Sequence, residues 1–130
     1  MTAMTPLEGW TAARLGLVGK RLDRRLLESY QLEKLAATIR FAAANSPFYR
    51  KHLGRNAAEG LRTLADLTGL PFTDAADLRR YGSQMVCVSQ SQINRVVTLD
   101  SSGTVGDPKR LWFTAEDQNL TVDFFQAGMS

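Results

Sequence analysis

Val97-Thr98-Leu99-Asp100-Ser101-Ser102-Gly103-Thr104-Val105-Gly106-Asp107-Pro108-Lys109-Arg110-Leu111-Trp112-Phe113 is the stretch on which the reading of this chain turns. An apolar run with strand character enters a loop of hydroxyls and glycines, Pro108 closes it, and a second apolar run follows Lys109. The pattern predicts a strand, a loop and a returning strand. Gly103 and Gly106 let the backbone take φ > 0 and bring bare N–H groups close to an anion. Ser101, Ser102 and Thr104 add hydroxyl donors, and Lys109 adds a positive point charge just past the turn. Amides that converge on one concavity form an anion nest, for which a polyphosphate is the natural guest.

Two familiar phosphate loops are excluded by spacing. A Walker A loop needs a glycine five residues after Gly103, followed by Lys and Ser or Thr, and Pro108 stands there. The dinucleotide fingerprint fails because no G-x-G precedes the Gly103–Gly106 pair. The remaining pattern, SSGTVGDPK over 101–109, resembles the phosphate-binding signature of the adenylate-forming enzymes, usually S/T-S-G-T-T-G-x-P-K. The flanks narrow the resemblance. Asn45-Ser46-Pro47-Phe48-Tyr49-Arg50, Leu70-Pro71-Phe72-Thr73 and Phe113-Thr114-Ala115-Glu116-Asp117 are similar to segments of phenylacetate-CoA ligase-like enzymes, in the same order.

That resemblance implies the N-terminal portion of an AMP-dependent acid-CoA ligase, which activates a carboxylic acid, here expected to be an aryl acid, as its acyl-adenylate. The acyl group then passes to coenzyme A. It implies ATP, Mg2+ and coenzyme A as cofactors of the complete enzyme, with nucleotide (ATP or AMP), carboxylic acid and coenzyme A as its partners. Ser101, Ser102, Gly103, Thr104, Gly106 and Lys109 would hold the β- and γ-phosphates, where charge-assisted bonds act on the leaving pyrophosphate. Val105 replaces the usual second threonine. A near-isosteric Val keeps the shape of the loop while dropping a hydrogen bond worth about 0.5–1.5 kcal/mol. The family's adenine, ribose and acyl-adenylate motifs and its mobile C-terminal domain would all lie beyond residue 130. No catalytic residue and no metal ligand is therefore assigned, and the chain is expected to be inactive alone. By composition a Ser/Gly/Thr turn is most often a plain hairpin connection. Two other readings stay open: a non-catalytic module that binds a phosphate ligand or another subunit, completing its core as a homodimer, and an anion- or nucleic-acid-binding domain.

Composition is that of an ordinary globular protein: 130 residues, 44% hydrophobic, 22% charged, net charge +3. The basic cluster Lys20-Arg21-Leu22-Asp23-Arg24-Arg25 is interrupted and reads as a solvated helix entry, so neither a nucleic-acid nor a membrane partner is expected. Cys87 is the single cysteine, which excludes an internal disulfide, and it reads as an inert thiol in an apolar run. His52, the single histidine, lies among Arg50, Lys51 and Arg55 and reads as a surface residue. No apolar run approaches the roughly 18 residues of a membrane span, and the N-terminus lacks a leader pattern, so a cytoplasmic protein is expected.

The expected fold class is α/β in the α+β sense. A helical N-terminal region occupies 1–84, and 85–130 opens an AMP-binding α/β subdomain: a strand-loop-strand hairpin with its phosphate loop at 100–109, then a buried helix. In order, Thr5 caps a short helix running to about Leu17 and stopped at Gly19, and Asp23 caps a long helix to about Ala44. The long helix has two apolar stripes, Leu32, Leu35, Ile39 and Ala42 on one side and Leu26, Tyr30 and Phe41 on the other. Ser46-Pro47 restarts a helix to Leu53 with Gly54 as its left-handed stop. Residues 55–62 read as an exposed connection, Thr63 caps a short helix to Gly69, and Thr73 begins a helix closed near Gly82. Met85 to Val88 is a strand candidate, Ser89 to Gln92 a polar turn, and Asn94 to Leu99 the strand that enters the loop. The helix capped by Thr114 is apolar nearly all round, with Leu120, Phe124 and Ala127 opposed to Val122, Phe125 and Met129.

Overall fold

The computed structural model describes residues 6–17, 21–99 and 108–129. Its elements are α1 (Pro6–Arg14), α2 (Arg24–Asn45), α3 (Pro47–Leu53), α4 (Ala75–Met85), β1 (Ile93–Leu99), β2 (Lys109–Thr114) and α5 (Ala115–Met129). Short 3₁₀ turns at Ala57–Gly60, Leu64–Gly69 and Gln90–Gln92 connect them. Among the described residues the architecture is α+β: a helical region and one two-stranded antiparallel ribbon.

Local hydrogen bonding places most of the boundaries. The Asp23 carboxylate accepts from the Leu26 amide at 2.9 Å and starts α2. Asp74 and Asp77 exchange side-chain-to-backbone bonds at the start of α4, and Thr114 and Asp117 do the same for α5. Asp66 accepts the amides of Arg62 and Thr63, which hold its carboxyl below the usual carboxylate range. Gly54, at φ 86°, stops α3 as expected.

The structure corrects several expectations. The first helix ends at Arg14, and Gly16 at φ 74° turns the chain before Leu17; Thr5 and Gly19 lie outside the described residues. Asp74, not Thr73, caps α4, and that helix passes through Gly82 to Met85. Met85 closes α4, and Val86 to Val88 form no strand; a strand needs a ladder partner, and among the described residues the ribbon has only two members. The 55–62 connection contains a 3₁₀ turn that buries Ala58. His52 is half-buried: its Nε2 lies 2.8 Å from the Phe72 carbonyl, and its ring stacks on Phe48.

The core lies between α2, α3 and α4. Ala36, Ile39 and Ala43 of α2 are buried, with Leu32, Leu35 and Ala42 half-buried beside them, while Leu26 and Phe41 of the second stripe stay exposed. Phe48 of α3 is the largest buried side chain among the described residues. Fully buried Ser46 stands at the α2–α3 corner, donating from Oγ to the Gln84 carbonyl at 2.7 Å and accepting from the Tyr49 amide at 3.1 Å. One corner thus fixes three helices.

The last helix corrects the sequence reading too, since none of its described residues is buried. Among the described residues, α1 and the ribbon pack against it. Trp10 donates to Asp123 at 2.9 Å and meets Phe124 edge-on, Arg14 pairs with Asp123 at 3.9 Å, and the Asn94 side-chain amide donates to Gln118. Val122, Phe125 and Met129 remain exposed, Met129 at 84%. Among the described residues, nothing covers the side that carries them.

Candidate functional site

The expected phosphate loop is framed by the ribbon. In the β1–β2 register Leu99 stands opposite Lys109, Thr98 opposite Arg110 and Val96 opposite Trp112. Positions 100–108 therefore leave and re-enter one antiparallel pair, the strand-loop-strand arrangement that the sequence predicts. Ser101, Ser102, Gly103, Thr104 and Gly106 lie outside the described residues. Lys109 is described: it is the first residue of β2, half-buried. It begins the strand where the loop ends.

Strand alternation sorts the charges around it. Lys109, Leu111 and Phe113 fall on one face of β2, and Arg110, Trp112 and Thr114 on the other. The helix α4 sits on the second face. A Cβ built on Gly82 would lie 3.0 Å from Cη2 and 3.1 Å from Cζ3 of Trp112. Absence of a side chain at 82 is what lets the indole approach the helix. Gly82→Leu is expected to lower stability by about 1–3 kcal/mol through overpacking. Gly82→Ala is expected to be near-neutral, its helix-propensity gain of about 0.8–1.0 kcal/mol offsetting the tight contact. Thermal melts of the two variants check this, with Trp112 emission reporting the displaced ring.

Two clefts adjoin this contact. The larger, of about 610 Å³, is mostly apolar, and Phe41, Tyr49, Val86, Cys87, Ile93 and Phe113 are among its lining residues. Cys87 contacts the Met85 carbonyl through Sγ at 3.4 Å, and burial pushes its thiol up from the ordinary value, so the protonated, weakly reactive form dominates at neutral pH. The inert-thiol reading fits this geometry. The smaller cleft, of about 280 Å³, lies between α4 and the start of β2, where Arg79, Arg80 and Arg110 gather beside Pro108. Sequence reading missed this group. Its signal was the i, i+4 spacing of Arg79 and Ser83, but the partner arginine is remote in sequence.

Among the described residues no set of three His, Cys, Asp or Glu could hold a metal ion, and no helix is long and apolar enough to cross a membrane.

No protein-family model matches the chain. In sequence it is similar to a phenylacetate-coenzyme A ligase of Aromatoleum evansii, 38% identical over 94 residues, 70% of this chain and 21% of the relative. It is similar to that of Thermus thermophilus, 34% identical over 105 residues, 78% of this chain and 23% of the relative. To that of Pseudomonas putida it is 36% identical over 96 residues, 72% of this chain and 21% of the relative. The chain thus spans about a fifth of the length of the curated relatives it matches.

Proposed function

Because this chain is a relative of the phenylacetate-coenzyme A ligases over part of their length, we propose that it forms the N-terminal part of an ATP-dependent acid-coenzyme A ligase. In that reading 1–84 is a helical region and 85–130 the start of the AMP-binding subdomain. Ser101, Ser102, Gly103, Thr104, Gly106 and Lys109 grip the β- and γ-phosphates of ATP, with magnesium accompanying the nucleotide. The carboxylate of an aryl acid attacks the α-phosphate, pyrophosphate leaves, and the acyl group moves to the thiol of coenzyme A. The role of this chain is binding: amides and hydroxyls orient the polyphosphate, and the Lys109 ammonium offsets charge on the leaving group.

The sequence relationship carries this reading, and two structural observations support it. Pairing of Leu99 with Lys109 closes both ends of 100–108 on one ribbon, as a phosphate-gripping loop requires. The accessible surface is 9860 Å², against roughly 6,800 Å² for a compact monomer of 14.4 kDa. Val122, Phe125 and Met129 stand exposed on the outer side of α5, which suits a surface that other parts of a larger enzyme cover.

Titration with ATP and magnesium tests the loop. Binding is expected, with Lys109→Ala or Gly106→Val abolishing it, Lys109→Ala by loss of charge and Gly106→Val by blocking the close approach of the backbone. Affinity unchanged in both variants would move the nucleotide elsewhere. The chain by itself is expected to form no acyl-adenylate from an aryl acid, ATP and magnesium.

A further inference from the structure

Arg40, Ala43 and Ala44 share one face of α2 near its C-terminal end, at spacings of three and four residues. The corner at Ser46 turns the chain into α3, and Arg50 reaches back to the last turn of α2. It donates from Nε to the Ala43 carbonyl at 3.3 Å and from Nη2 to the Ala44 carbonyl at 2.7 Å. Those carbonyls carry the negative end of the helix dipole, so this guanidinium neutralises the end of α2 and is held in place by it. Its Nη1 takes part in neither bond. Gly54, at φ 86°, ends α3, and Arg55 follows it directly. Arg40, Ala43, Ala44, Arg50 and Arg55 line one cleft of about 390 Å³. Arg40 and Arg55 are exposed, and among the described residues neither has a hydrogen-bond, ion-pair or ring partner. Glu59, the carboxylate nearest to Arg55 in sequence, forms no ion pair with any of the three arginines.

Three guanidinium groups on one concave surface focus a positive potential there. Planar guanidinium forks match the oxygens of a phosphate in pairs. A phosphate monoester carries a charge of about −1.5 to −2 and three acceptor oxygens, so it suits three such groups better than a singly charged carboxylate does. We propose that the cleft at the α2–α3 corner binds a phosphate group of a small phosphorylated ligand through the free guanidinium groups of Arg40 and Arg55, with Nη1 of Arg50 as a further donor. The site is built from residues 40–55, so it stands or falls independently of the loop at 100–108 and of Lys109. Free pyrophosphate, the phosphates of ATP and those of coenzyme A offer the same chemistry.

The test uses the full chain carrying Lys109→Ala, which removes the charge of the loop, in the absence of magnesium. Inorganic pyrophosphate, ATP and coenzyme A are titrated separately while proton–nitrogen NMR follows the backbone amides of 40–56 and the Nε–H groups of the arginines. Pyrophosphate is expected to shift the signals of Arg50, Gly54 and Arg55 saturably, and less as salt rises. Arg40→Gln and Arg55→Gln are each expected to raise its dissociation constant about tenfold, Arg55→Lys less, and Arg24→Gln, at the opposite end of α2, to leave it unchanged. Arg50 is kept, because it holds the end of α2. Circular dichroism checks that the variants, all at exposed positions, keep their helices. If ATP or coenzyme A binds more tightly than pyrophosphate and loses that advantage in Arg55→Gln, it is the source of the phosphate; equal binding of all three means that the phosphate group alone is recognised. No shift at 50–55, or a dissociation constant unchanged in both glutamine variants, would overturn the proposal. Failure of ATP to shift the amides of 97–99 and 109–111 in the chain with Lys109 restored and magnesium present, with the pyrophosphate result intact, would overturn the loop reading alone.

Discussion

Phe48→Ala is expected to destabilise the chain by about 3–5 kcal/mol, the usual loss for a buried aromatic truncated to a methyl group. Phe48 is 9% exposed, and its ring lies 5.1 Å from Tyr49, 4.8 Å from His52 and 5.4 Å from Tyr81, centroid to centroid. Ile39 is the only other large member of a buried hydrophobic set otherwise made of alanines among the described residues. The rings of Tyr49, His52 and Tyr81 lose that packing partner together. Against a typical domain stability of about 5–15 kcal/mol, the substitution removes about a fifth or more. Urea unfolding checks it: the midpoint should fall sharply in Phe48→Ala and much less in Phe48→Leu, which keeps most of the apolar volume. Equal midpoints for all three proteins would mean that the α2–α3–α4 junction is not the stabilising centre.

Ser46→Ala is expected to cost about 2 kcal/mol, although it deletes one oxygen. That hydroxyl caps α3 through the Tyr49 amide and ties the Gln84 carbonyl near the end of α4 to the corner between α2 and α3. Its removal leaves a helix-start donor and a helix-end acceptor to find other partners. Ser46 is fully buried, so water reaches the vacated position poorly. Ser46→Thr keeps the hydroxyl but adds a methyl group to a site with no exposed surface, so it separates bonding from packing. If alanine proved neutral while threonine destabilised, the position would act by size alone.

These two residues mark how far the sequence could be read. Ser46-Pro47 was legible as a helix restart, because a hydroxyl accepting an amide three residues on is a local event. The link from the same hydroxyl to Gln84 was not legible, because it spans 38 positions. Gly82 read as a helix stop on its identity, and it is instead the gap that Trp112 fills. His52 read as a surface residue from its basic neighbours, whereas contacts with Phe48 and Phe72 half-bury it. In the stripe of α2 that the sequence set opposite the core stripe, Leu26 and Phe41 are exposed and Tyr30 is half-buried.

The helix starts at Asp23, Ser46 and Thr114, the ribbon on either side of 100–108, and the likeness to a part of the phenylacetate-coenzyme A ligases were all determined by sequence alone. Each is written in side-chain-to-backbone bonds a few residues long, in strand alternation, or in motif order. Tertiary structure decided which face of β2 receives α4, and therefore that Arg110 joins Arg79 and Arg80 while Lys109 is turned away. Strand period fixes only that neighbouring residues oppose one another; which face is covered depends on packing between segments that sequence spacing does not relate.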